Sequence, residues 1–438
     1  MKRGGFLNFS EFLRYSICAL IFGGGAFFLF YLKGFFLFHP IKTVREMFHR
    51  TDKSGISPLR ALSASLSGTL GVGNIVGVAV AMITGGAGAV FWIWISALVS
   101  MVLKYCEIPL GVKYRKKSAA GFEGGPMYYM EKGIGGRAGK ICGALFSLAA
   151  VVSSFSVGNI VQVYAASDAA NIIFGMNEFV FGALFAAAIA FVIFGGFERI
   201  SRVTSILLPV MSAVYLLLCL AVVAENAALL PSFLKEIFSQ AFMSDSVFGG
   251  VLGFLLSEAF SEGVCKGTFS HESGSGTAPM AHANAQTDTP ARQGLLGLFE
   301  VFADTIVMCT LTAFVILAAW QGGVQNENGM GLVLDSFELG IGRGACYVIG
   351  VCILLFAFST LICWAYYGKF CLSHLTGSKK VGKVYIFAYL LCIAFGTLLS
   401  QEAVWFTADA AIALMTALNL PAMFLLRKEI KRETEIIF

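Results

Sequence analysis

Apolar runs long enough to cross a bilayer recur along nearly the whole chain, and they leave little room for a water-soluble fold. Taking a span as about 20 apolar residues, eleven can be placed. They lie near 15–38, 58–83, 87–112, 141–165, 176–197, 203–224, 246–284 (broken), 295–320, 344–372, 382–400 and 403–425. In hydrocarbon every backbone polar group must be satisfied within the protein, so spans of this composition are helices. The chain is 57% hydrophobic and 13% charged, with a mean hydropathy of +0.79, against roughly 45–50% apolar residues in soluble domains. The expectation is an all-α integral membrane protein of the plasma membrane, multi-pass, in a bacterial or archaeal inner membrane. Lys2, Arg3 and Arg14 precede the first run as in a signal peptide. That run lacks a small-residue cleavage site and continues through Lys33 into Phe35, Phe36 and Phe38, so it reads as a retained span.

Charge placement sets the orientation. Lys42, Arg45, Arg50, Lys53 and Arg60 form one basic cluster, and Lys113, Arg115, Lys116, Lys117, Lys132, Arg137 and Lys140 form another. Arg199 and Arg202, then Arg292, then Lys379, Lys380 and Lys383, then Arg427, Lys428, Lys431 and Arg432 follow. With eleven spans all of these loops fall on one side, and Glu225, Glu236, Glu327, Asp335, Glu338 and Glu402 on the other. The positive-inside rule then puts the C-terminus in the cytoplasm and the N-terminus outside. It also accounts for the net charge of +5 without nucleic acid as a partner. The 11 cysteines lie mostly in apolar runs, with no CxxC or zinc-type spacing, and read as reduced packing residues.

Two spans are interrupted. Ser67 to Ala79 reads SGTLGVGNIVGVA, inside a stretch from Ala61 to Leu103 with no charged residue. Gly71, Gly73 and Gly77 give neither GxGxxG nor GK[ST], so nucleotide binding is not indicated. Close helix packing through small residues is one reading. Unwinding near Gly71 to Asn74 is the other, freeing N–H groups for a carboxylate and carbonyls for a cation. The second interrupted span holds Glu258, Glu262, Lys266, His271 and Glu272 with Gly263, Gly267, Gly274 and Gly276. Such a segment must line a cavity or a pathway. Setting the first span aside leaves ten, which divide into five plus five, and each half opens with an interrupted span. Corresponding broken helices in inverted halves are the pattern of LeuT-type carriers.

Other polar groups stand alone in apolar runs. Ser359 and Thr360 are adjacent hydroxyls in the ninth span, with Trp364 on the face of Thr360. Gln162 and Asn159 lie in the fourth, where a buried amide also serves as interhelical glue. His271 and His282 with Glu272 lack HExxH spacing, so no metal site is read there. Ser273 and Ser275 lack a nucleophile elbow or triad context, so no enzyme is indicated.

Together these segments resemble the sodium:alanine (alanine or glycine:cation) symporter family of the amino acid–polyamine–organocation superfamily. The carriers of the resemblance are GTLGVGNIVGVAVA (68–81), GAVFWIWISALVSMVLKYCEIPLGVKYR (88–115), GGPMYY (124–129), GTFSHESGSGTAPMAHA (267–283), TDTPARQG (287–294) and WAYYG (364–368). The resemblance implies a LeuT-type fold with one extra N-terminal helix (1–40), a first repeat (41–225), a second repeat (226–426) and a cytoplasmic tail (427–438). It implies sodium-coupled import of alanine or glycine by alternating access, by a monomer in the lipid bilayer, with sodium as coupling ion and no other cofactor. The substrate would meet Gly71, Gly73, Asn74, Gln162, Thr268, Phe269, Thr360 and Trp364, with Thr268 and Phe269 at the second break. Sodium would meet carbonyls near Leu70 and Gly71 and the hydroxyls of Ser359 and Thr360. The sequence departs from the family's usual residues at His271 (asparagine), Ser273 (alanine), Lys266 (arginine), Ala87 (proline) and Lys369 (glutamate). A channel lined by the glycine-rich segments is the competing reading, though no repeated filter motif is present.

Overall fold

The computed structural model describes residues 9–48, 55–118, 121–242 and 257–438. Lys2, Arg3, Arg50, Lys53 and the start of the seventh expected span (246–256) lie outside them. Among the described residues, seven helices are long and apolar enough to cross a membrane: Phe9–Tyr31, Gly88–Lys113, Gly136–Phe174, Gly196–Glu225, Pro290–Gln321, Arg343–Thr376 and Gln401–Leu425. Pro58–Thr69 and Val72–Gly85 make an eighth if counted as one span bent by 62°. The runs near 176–197 and 382–400 are shorter helices, Glu178–Ile193 and Lys379–Phe395, of 16 and 17 residues.

Local chemistry sets several helix starts. Ser57 and Thr289 accept from the N–H groups of Arg60 and Arg292, each with proline next in sequence. Asn177 caps Phe179 and Val180 in the same way, satisfying donors a helix N-terminus leaves free. Burial is inside out relative to a soluble protein. Phe30 is 80% exposed, Phe191 73% and Leu217 67%, whereas Lys104, Glu107, Glu300 and Asp304 are fully buried. Apolar flanks around a polar interior suit a lipid surround.

Long-range contacts gather the basic loops at one end of the bundle. Arg60 donates to Ser201, Arg292 pairs with Glu46, and Lys113 pairs with Glu429 and Glu433. Arg115 donates to the carbonyls of Ala283 and Ala285. The opposite end holds a cavity of about 1190 Å³ lined by Ser10, Arg14, Glu262, Lys266, Glu402 and Asp409, among others. The N-terminal helix therefore begins on the side away from the basic loops. Arg14 is not left unpaired there, since it bonds to Glu262.

Candidate functional site

The first break falls where the glycines predict it. The helix Pro58–Thr69 ends at Leu70, a 3₁₀ turn covers Val72–Asn74, and the helix Val76–Gly85 resumes. Neighbouring helices press on this segment. A Cβ on Gly71 would lie 2.7 Å from both Gln162 Oε1 and Thr360 Oγ1. A Cβ on Gly73 would lie 2.6 Å from the ring of Phe269. A side chain at either position would force these neighbours to move.

Side chains satisfy the freed backbone. Gly71 N–H donates to Asn74 Oδ1 at 3.2 Å, and Val72 N–H donates to Gln162 Oε1 at 3.2 Å. Gln162 follows a π-helical turn, Ser156–Ile160, and donates its Nε2 to the Val157 carbonyl. On the other flank Thr360 Oγ1 lies 3.1 Å from the Ser67 carbonyl and 3.5 Å from the Leu70 carbonyl. Ser359 Oγ lies 3.4 Å from the Ser67 carbonyl and 2.9 Å from that of Phe356. Thr360 thus lies by the Leu70 carbonyl and by Gly71, and Ser359 shares the Ser67 carbonyl with it. Ser67 and Phe356 join them, contributing backbone carbonyls that no residue type announces.

The other end of the Asn74 amide reaches away from this cluster. Its Nδ2 donates to Ser270 Oγ at 2.6 Å and to the Asp304 carbonyl at 3.0 Å. Ser270 in turn donates to Asp304 Oδ2 at 2.6 Å. Asp304 lies in a second π-helical stretch, Phe302–Cys309, and was missed in the sequence. A carboxylate within an apolar run is itself a signal of function, and it could have been found that way. The same holds for Lys104, Glu107 and Glu300.

The second broken helix differs from its expectation. Glu258–His271 is continuous, so Thr268 and Phe269 lie within a helix, not at its break. Thr268 donates back to the Val264 carbonyl at 2.7 Å and brings no hydroxyl to the site. The break covers Glu272–Thr277, directly after His271. Phe269 is nevertheless central. Its ring covers Gly73 and meets Trp405 edge-on at 5.2 Å, and Trp405 also lines the outer cavity. On the ninth span Trp364 is buried, with an Nε1 that has no hydrogen-bond partner among the described residues. It packs so closely on Gly158 that a Cβ there would be 2.2 Å away.

A further polar cluster ties the second break to the inner half of the first broken helix. Lys104 pairs with Glu300 at 3.2 Å, His282 Nε2 is 3.1 Å from Glu300, and Ser65 donates to Glu300 at 2.9 Å. Gln293 Nε2 stands 2.7 Å from His282 Nδ1. Glu107 accepts from Gly276 N–H at 3.0 Å and from Asn419 Nδ2 at 3.2 Å.

Residues 6–436 match the sodium:alanine symporter family. The chain belongs to that family. Among relatives of this sodium:alanine symporter family member is the sodium/alanine symporter AgcS of Methanococcus maripaludis. It is 37% identical over 391 residues, covering 88% of this chain and 85% of that one. The probable sodium/glutamine symporter GlnT of Bacillus subtilis is also 37% identical, over 415 residues, covering 94% and 85%. Among solved structures, MhsT in complex with L-phenylalanine superposes with a TM-score of 0.61 at 15% identity, covering 88% of this chain and 99% of that one. A Na⁺-coupled sialic acid symporter gives 0.61 at 14% identity, covering 94% and 87%. The fold is the LeuT type, and the chain is a multi-pass membrane transporter, not an enzyme.

Proposed function

We propose that this transporter couples sodium entry to import of a small neutral amino acid, alanine or glycine, by alternating access. The observation that carries the reading is the meeting of the Ser67 and Leu70 carbonyls with the hydroxyls of Ser359 and Thr360. These are neutral oxygens, with the Phe356 carbonyl close behind Ser359. Sodium, a hard cation, accepts such ligands, and an uncharged set does not hold it so tightly that release fails. The oxygens come from two helices, so an ion shared between them fixes the break in one geometry.

The substrate carboxylate would be received by backbone N–H groups of the same break. Gln162 Oε1 occupies the Val72 N–H and would yield it to the incoming carboxylate, then turn its amide to the ligand. Asn74, whose amide is committed to Ser270 and the Asp304 carbonyl, would brace the segment in the receptive shape. Trp364 and Phe269 would bound the room for a side chain and exclude large ones. Sodium and substrate would stabilise one conformation of residues 70–74, and their mutual effect on affinity must be reciprocal. The repeats at 41–225 and 226–426 would move against each other about this point, in a monomer.

Uptake of labelled alanine and glycine into proteoliposomes tests the reading. Saturable uptake that requires an inward sodium gradient is expected. Uptake that is linear in concentration, or indifferent to sodium, would instead support a pore.

A further inference from the structure

The first span ends at Tyr31, and the chain turns through Lys33 and Gly34, both at φ 54°. Two short helices follow, Phe35–Phe38 and Pro40–Met47. The second pairs its Glu46 with Arg292 and buries Thr43 against the bundle. Ile41, Val44 and Phe48, spaced three and four residues apart, share a different face. All three are exposed, Ile41 to 85%. Lys42 and Arg45 lie between the two faces and are exposed too. Neither forms an ion pair among the described residues. A helix with a protein-facing side, a basic flank and an exposed apolar face suits a membrane interface. Phe30, Leu37 and Phe38 just before it are exposed as well. The lipid-facing side of the first span therefore runs on into this face, and lipid, not a soluble protein, is what the face meets.

Beside it a cavity of about 220 Å³ opens between the end of the first span and the helix Arg427–Glu435. Lys33, His39 and Lys431 line it, over the rings of Phe35 and Phe438. Lys431 Nζ is 5.8 Å from the centre of the Tyr31 ring, which forms another wall. Lys42 Nζ is 5.2 Å from the centre of the Phe438 ring, on which the His39 ring stacks at 6.1 Å. Glu435, a carboxylate of the lining, stands 3.8 Å from Lys431, which leaves Lys33 without a counter-charge among the described residues. A positively charged cavity beside exposed apolar side chains offers a phosphate and an acyl chain adjoining places. We propose that this cavity holds the headgroup of an anionic phospholipid, its phosphate on Lys33 and Lys431 and its acyl chains beside Phe38, Ile41 and Val44. The lipid then bridges the first span and the helix Arg427–Glu435. The site is separate from the first break and does not depend on the sodium-coupled reading.

Native mass spectrometry of the purified full chain, titrated separately with phosphatidylglycerol and with phosphatidylethanolamine, tests this. The wild type is expected to hold one phosphatidylglycerol about tenfold or more tighter than phosphatidylethanolamine. Lys33→Gln combined with Lys431→Gln should weaken that binding by about twentyfold, since each lysine near an anionic lipid is worth about fivefold. Lys116→Gln combined with Lys117→Gln, an exposed basic pair elsewhere among the basic loops, should leave it nearly unchanged. Ile41→Ser combined with Val44→Ser should weaken it severalfold by removing the acyl-chain contact. Equal affinity of the wild type for the two lipids overturns the proposal whether or not any variant folds. An equal loss in the two lysine pairs also overturns it, reducing the effect to the general charge of that end of the bundle. Displacement of the bound lipid by millimolar inorganic phosphate would make this a site for free phosphate and overturn the lipid assignment.

Discussion

The two broken helices meet the same difficulty, a short run of backbone with no helical partner, in opposite ways. At Leu70–Ile75 the chain has no left-handed residue, and its exposed donors are held by the side chains of Asn74 and Gln162. At Glu272–Thr277 the chain turns through positive φ at Glu272, Gly274 and Gly276. That turn is tied down on all sides. Glu107 takes the Gly276 N–H, Asn419 the Gly274 carbonyl, and Thr277 bonds Glu272. A side-chain cap can be exchanged for a ligand. A turn locked by its own dihedral angles and by buried partners cannot be exchanged without unfolding it. The first break is therefore the place for chemistry that comes and goes, and the second is the anchor it works against.

Substitutions that separate exchange from anchorage probe this contrast. The largest effect is expected at Gly71→Val, where the new side chain would meet Gln162 and Thr360. Sodium-driven alanine uptake should fall by about a hundredfold, since overpacking a closed site costs up to about 3 kcal/mol and each 1.4 kcal/mol is about tenfold. Normal uptake by Gly71→Val would show that the segment is not where binding occurs. Next comes Gln162→Ala, expected to weaken equilibrium alanine binding by roughly ten- to a hundredfold, as for a lost hydrogen bond to a charged group. Asn74→Ala should weaken it to a similar extent, by releasing the brace. If both bind alanine normally, the pocket has been put on the wrong helices.

At the second break the readout changes. Glu107→Ala would leave the Gly276 N–H and one Asn419 donor unpaired, costing about 1–3 kcal/mol each. The melting temperature should drop, while folded protein keeps its alanine affinity. A selective loss of affinity without loss of stability would contradict the anchor role. The smallest effect belongs to His271→Asn, which restores the family's usual residue. His271 accepts from the Ser273 N–H at 3.0 Å, a bond an asparagine oxygen can also accept, so alanine affinity should stay within about threefold. Abolished binding in isothermal titration would place His271 in the pocket.

Much of this architecture was legible from hydropathy and glycine placement. Apolar runs translate directly into helices because lipid leaves the backbone no alternative, and the first break lies at the glycine pair that predicts it. The second break was displaced by several residues because glycines serve two purposes. Gly263 and Gly267 sit in continuous helix against the Ala89 carbonyl and Ser96 Oγ, where a Cβ would be 2.4 and 2.3 Å away. They are packing glycines, and only Gly274 and Gly276 carry positive φ. In the site, Thr360 and Gln162 could be singled out because polar side chains are rare in such runs. Ser67 and Phe356 could not, since they act through carbonyls that every residue owns. Thr268 was misassigned because a hydroxyl near a break looks available, whereas this one is used by its own helix.

The π-helical turn at Ser156–Ile160 has a consequence for how this sequence can change. Such a turn holds one residue more than the α-helical pitch allows, so every side chain beyond it is rotated by about 100° relative to an uninterrupted helix. Gln162 points at the Val72 N–H because of that extra residue. Loss of a single residue from 156–160 would let the helix relax to regular pitch and turn Gln162 off the break, with no change in composition and hardly any in hydropathy. The phase of this helix is thus heritable information of its own, carried by residue count, and shortening by one is the edit the stretch tolerates least.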